Sequence, residues 1–169
     1  MSEPEVWLRG ALPDVAPLLQ PVAHSLLQCR LEVRATVPTL SSTELWATPG
    51  NAASAGYHVR HAIGSLDRLF TYARGEQLSR DQMAALREEG RMDEREGIQD
   101  VLVSEFDAAV DRALAQLRAT DPSTLLERRE VGRARLPSTV LGLLFHAAEH
   151  TQRHAGQLAT TAKMVRGTV

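Results

Sequence analysis

A chain of 169 residues is long enough to bury a core without disulfides or a structural metal, and with Cys29 as its one cysteine it has no intrachain disulfide and no C-x-x-C motif. Its 19 Lys+Arg against 21 Asp+Glu leave a formal net charge of -2, which excludes the basic footprint of a nucleic-acid or anionic-membrane binder and favours a small near-neutral substrate or a protein partner. The acidic, proline-interrupted start "MSEPEVW" is unlike a signal peptide, and no run approaches the ~18 apolar residues of a membrane span, so a reducing cytoplasm is the expected setting.

No repeat or low-complexity tract interrupts residues 1–169, which are expected to form one domain. The abundance of Leu, Ala, Arg, Glu and Gln, without alternating β-branched runs, predicts helices nearly throughout. A first long helix follows Pro13, Pro17 and Pro21 and carries Val22, Leu26, Cys29 and Val33 at helical spacing, with Pro21 tolerated only in its first turn. Buried among these, Cys29 reads as a core thiol. A short helical "SSTELW" and the breaker "TPGN" lead to a second long helix, with Ser54 as N-cap and Gly75 just past its end.

The charged connection that follows contains "SRDQMAALREEG", where Ser79 and Gln82 have capping-box spacing and predict a short helix. A third long helix is expected from about Glu94 to Arg118, with Ile98, Leu102, Phe106, Ala109, Ala113 and Leu117 on one side. "TDPSTLLERREVGRARLPS" reads as a solvated loop, in which Arg133 and Arg135 are available to an anionic substrate. The fourth helix should start near Ser138 or Thr139 and run to about Val165. Four long amphipathic helices imply an all-α four-helix bundle.

The last helix carries "FHAAEHTQRHAGQL", with His146, His150 and His154 four residues apart. Its apolar seam runs through Val140, Leu144, Ala147, Thr151, His154, Leu158, Thr161 and Val165, so His154 sits in the core, His150 on its flank and His146 close to solvent. Two imidazoles at i and i+4 lie about 6 Å apart along the axis and can converge on one ion, whereas the pair spaced by eight is separated by about 12 Å. The interior pair is therefore His150 with His154. Although "HAAEH" matches H-x-x-E-H, no further Asp, Glu or His follows His154 to complete an inverted zinc-peptidase site. Paired E-x-x-H motifs of a di-iron bundle, a G-x-S-x-G elbow and a phosphate-cradling glycine loop are also missing.

Two more histidines stand in "GYHVRHAIGSLDRL", and with His150 and His154 they can complete a three-histidine site with an open position. The apolar stripe of that helix, Ala55, Val59, Ala62, Leu66, Leu69 and Ala73, lies about 140° from His61 and about 80° from His58, so periodicity alone favours His58. His24, on the first helix, reads as a boundary histidine.

The stretches "TELWATPGNAASAGYHVRHAIGSLDRLFTYARGE", "REVGRARLPSTVLGLLFHAAEHTQRHAGQL" and "TTAKM" resemble the DinB/YfiT-like superfamily of small metalloenzymes, in the same order and over nearly the whole chain. The resemblance implies a four-helix bundle with a long crossover, often a homodimer, binding a divalent metal through one histidine of the second helix and two of the last. Carried over to this chain, the ligands are His61, His150 and His154, with His58 as a replacement ligand or supporting partner. Ala155 stands where the family motif often has arginine, while Gly156 and Gln157 are kept. Three neutral imidazoles suit zinc or nickel and leave positions for water and substrate.

The resemblance further implies an enzyme acting on a small molecule, either a transferase using a low-molecular-weight thiol or a metal-assisted hydrolase. Glu149, Gln157 and Tyr57 are candidates for supporting or proton-transfer roles, and no catalytic residue is assigned. The competing expectation is a stress-response protein that binds metal or a ligand without turnover.

Overall fold

A computed structural model of the chain describes residues 3–167, so the first two residues of "MSEPEVW" lie outside it. Among the described residues six α-helices are formed: α1 (Gln20–Thr36), α2 (Ser42–Trp46), α3 (Ala55–Ala73), α4 (Arg80–Glu88), α5 (Ile98–Ala119) and α6 (Val140–Val165). The four long ones make the bundle. Helices α1 and α3 each pack on both α5 and α6, and the α3–α6 interface is the most extensive of all. Consecutive long helices α1 and α3 therefore sit at opposite corners, and the chain must cross between them.

Local chemistry sets the boundaries. Ser54 Oγ accepts the Tyr57 backbone N–H and starts α3, while Gly75, at φ +81°, follows its end. Ser41 with Glu44 and Ser79 with Gln82 form capping boxes on α2 and α4. Helix α5 begins four residues later than the apolar spacing suggested. The Asp93 carboxylate takes the Arg95 backbone N–H, and Gly97 turns left-handed at φ +71°, so the backbone is helical only from Ile98.

A second correction falls between α5 and α6, where the expected loop contains a two-stranded antiparallel hairpin. Strand β1 (Arg128–Val131) pairs with β2 (Leu136–Thr139) in the register Arg128↔Thr139 to Val131↔Leu136. Gly132 and Arg135 take positive φ in its turn. Both strands are edges, so Pro137 is tolerated. Arg129 ties the hairpin to the bundle by donating to the Ala73 carbonyl at 2.9 Å. Arg135 pairs with Glu130, and the charge run stands at the exposed side of the hairpin turn.

One apolar core runs through the bundle, with Leu26 and Val33 of α1, Leu66 of α3, Leu102, Phe106 and Leu117 of α5, and Leu144 and Leu158 of α6 all buried. Cys29 lies within it. Burial, with Glu32 nearby, pushes its thiol up to about 12, as befits an inert core thiol. No helix among the described residues is long and apolar enough to cross a membrane.

Candidate metal centre

Four histidines meet at the α3–α6 interface. One ring nitrogen from each of His61, His150 and His154 lies within 4.8 Å of the other two. His61 Nε2 faces His150 Nε2 at 2.9 Å, and the His61 ring stands 4.6 Å from that of His154. Along α6 the His150 and His154 rings are also 4.6 Å apart, as one helical turn allows. His154 is only 9 % exposed, while His61 and His150 are half-buried, so the cluster is backed by the core on one side and reachable on the other.

His58 does not join the three directly. It is the more buried of the two α3 histidines, in the order that the helical arithmetic gave, and its Nδ1 meets His154 Nδ1 at 3.0 Å. The two rings share one hydrogen there. With His154 donating it, the lone pair of His154 is left on Nε2, away from His58. His58 thus touches the cluster through His154 Nδ1.

His61 has a stronger backing. Its Nδ1–H donates to Glu89 Oε2 at 2.7 Å, and Arg68 Nη1 donates to Glu89 Oε1 at 2.7 Å. Glu89 is 5 % exposed, a buried carboxylate satisfied by a ring N–H and a guanidinium. A neutral His61 in this arrangement carries its lone pair on Nε2, facing the cluster. Nothing in "REEGRMD" separated Glu89 from its exposed neighbour Glu88. The available hint was Gly64 in the middle of α3, where an added Cβ would lie 2.3 Å from Glu89 Oε1.

The other residues singled out in the sequence occupy the margins. Tyr57 stacks on His61, with ring centroids 5.4 Å apart and an interplanar angle of 14°. His146 is exposed and bonds Glu149 Oε1 through Nδ1 at 2.6 Å. Burial works to raise the Glu149 carboxyl, but hydrogen bonds from Arg153 and His146 outweigh it and hold the group below its ordinary value. Gln157 is exposed. His24 lies away from the cluster, its Nε2 at 3.0 Å from the Gly10 carbonyl.

Desolvation holds His58, His150 and His154 below the ordinary imidazole value, with the neighbouring rings acting in the same direction. These rings are thereby kept neutral, which is the form that binds a metal. The donor set could hold a divalent ion of the borderline kind: three imidazoles, two of them backed by hydrogen-bond partners, and with His150 Nδ1 buried and unpartnered. A cleft of about 650 Å³ is lined by Gly64 and Glu89 together with Arg60, Arg91, Met92 and Glu105, and by none of the clustered histidines.

Comparison with known proteins agrees with this architecture. No curated protein matches the chain. A solved structure described as the conserved protein of locus from Enterococcus faecalis superimposes with a TM-score of 0.73 at 16% sequence identity, covering 90% of this chain and 99% of that one, which is a likeness of fold. The family model for the DinB superfamily matches residues 13–158, including all four clustered histidines. With its helical bundle and that match over most of its length, the chain belongs to the DinB superfamily.

Proposed function

We propose that this protein is a divalent-metal-dependent enzyme that activates a small nucleophile, foremost a low-molecular-weight thiol, for transfer to an electrophilic substrate, at a centre held by His61, His150 and His154. The observation that supports it is the convergence of three ring nitrogens within 4.8 Å, with His61 and His150 only half-buried. Three protein donors leave coordination positions open, whereas a structural site is closed by four. Zinc or nickel suits the donors, and either ion, when bound, would lower the pKa of a thiol or water or polarise a carbonyl. Metal-assisted hydrolysis by the same residues is the other chemical option.

The chain's own residues prepare this chemistry. Glu89 orients His61, His58 orients His154, and the Tyr57 ring covers one face of His61. His146, Glu149 and Arg153 form a polar rim beside His150. We take the protein to be a cytoplasmic, single-domain homodimer without a nucleic-acid partner.

Elemental analysis tests the centre: wild type should carry one equivalent of metal per chain, lost in His150→Ala and in His154→Ala. Undiminished metal in both variants would overturn the assignment. Turnover by the loaded protein across a panel of thiols and electrophiles tests the activity. A second reading, a stress-response protein that binds metal or ligand without turnover, draws on the position of the 650 Å³ cleft, which none of the three histidines lines. Silence across the whole panel would favour it.

A further inference from the structure

We propose that Glu89 is a positioning residue of the metal centre, delivered by the connection between α3 and α5, and that Gly64 keeps open the space in which it lies. The proposal rests on reading His61, His150 and His154 as a metal site. Helix α4 buries none of its own residues, yet the residue that closes it, Glu89, is one of the most buried charged groups in the protein. A carboxylate is drawn out of water at the end of an exposed segment only if its partners there repay the desolvation.

One of those partners explains its charge and the other explains its place. Arg68 satisfies Oε1, and an ion pair with Arg68 alone could form nearer the surface at lower desolvation cost. Oε2 is spent on His61 Nδ1, which selects the ring tautomer and the direction in which Nε2 points. Gly64 supplies an independent argument. Glycine is disfavoured inside a helix relative to alanine, and α3 is a long helix that gains nothing from a flexible residue near its middle. A Cβ at this position would come within 2.3 Å of Glu89 Oε1 and 2.6 Å of Arg68 Nη1. Its absence admits the carboxylate.

The test is zinc affinity, measured by competition with a chromophoric chelator, together with the visible absorption of the cobalt(II)-loaded protein. Glu89→Gln keeps the shape and removes the charge. It should weaken zinc binding by about 10–100-fold and shift the cobalt bands, with the helical content of the metal-free protein unchanged. Gly64→Ala leaves Glu89 in the chain but sets a Cβ against Oε1 and Arg68 Nη1, so the carboxylate must shift, and zinc binding should weaken in the same direction. In the Gly64→Ala/Glu89→Gln double variant the loss should be no greater than in Glu89→Gln alone, since both act on one contact.

Wild-type affinity and spectrum in Glu89→Gln would overturn the proposal, and so would losses that multiply in the double variant. Should Glu89→Gln fail to fold, Gly64→Ala decides, because wild-type affinity there would equally overturn it. Failure of the underlying reading looks different: wild type itself would then bind no zinc, or His150→Ala would bind it as well as wild type.

Discussion

His154 shows how a single side chain ties the cluster to solution conditions. Burial pushes its imidazole down to about 3, with His61, His150 and His58 acting in the same direction. An unfolded chain binds that proton near the ordinary histidine value of about 6.5, so between these limits the unfolded state holds more protons than the native one. Stability of the metal-free protein therefore rises with pH across this window and is lost as pH falls below about 6.5. The urea midpoint of metal-free protein should be lower at about pH 5.5 than at about pH 7.5, before most carboxylates titrate. A midpoint that does not move over this range would contradict the burial argument. At this scale the sequence was informative where helical geometry governs: the seam placed His154 inside and His146 outside, as found. Glu89 was not legible from periodicity, because its partner lies 28 residues away in sequence and no period links a connection to a helix face.

Three segments meet at Trp46, the last residue of α2. Its ring lies over Gly56 of α3, where an added Cβ would come within 2.6–2.8 Å of ring atoms. The indole N–H donates to the Asp93 carbonyl, and the Arg60 guanidinium stands 4.8 Å from the ring centroid. One side chain thus joins α2, α3 and the segment leading into α5. Gly56→Ala forces the ring aside and should destabilise the protein by about 1–3 kcal/mol in urea unfolding. A wild-type midpoint would mean that Trp46 has room to swing away. The helices were legible because caps and apolar periodicity agreed, as at Ser54, Ser79 and Thr139. The hairpin was not, since its strands "RREV" and "LPST" carry few apolar residues. Its pairing is set instead by a left-handed turn and by Arg129 reaching α3.

For the molecule as a whole, the proposed ligands come from two helices far apart in the chain, so an ion held by His61, His150 and His154 would cross-link α3 to α6. Free zinc at about 100 times its dissociation constant stabilises the native state by about 2.7 kcal/mol, a rise of roughly 5–10 °C in melting temperature for a protein of this size. Scanning calorimetry should show that rise in wild type and lose it in His61→Ala. Equal rises in both would place the bound zinc elsewhere. The pairing of Arg68 with Glu89 carries one more consequence, for net charge. Among the described residues the one buried carboxylate, Glu89, is already offset by a guanidinium, and His58, His150 and His154 are held neutral. The protein thus brings no uncompensated negative charge to the point where the nitrogens converge. A dication held there would keep its full +2 in a half-buried setting, which would favour an anion, such as a thiolate or hydroxide, as the partner that completes its shell.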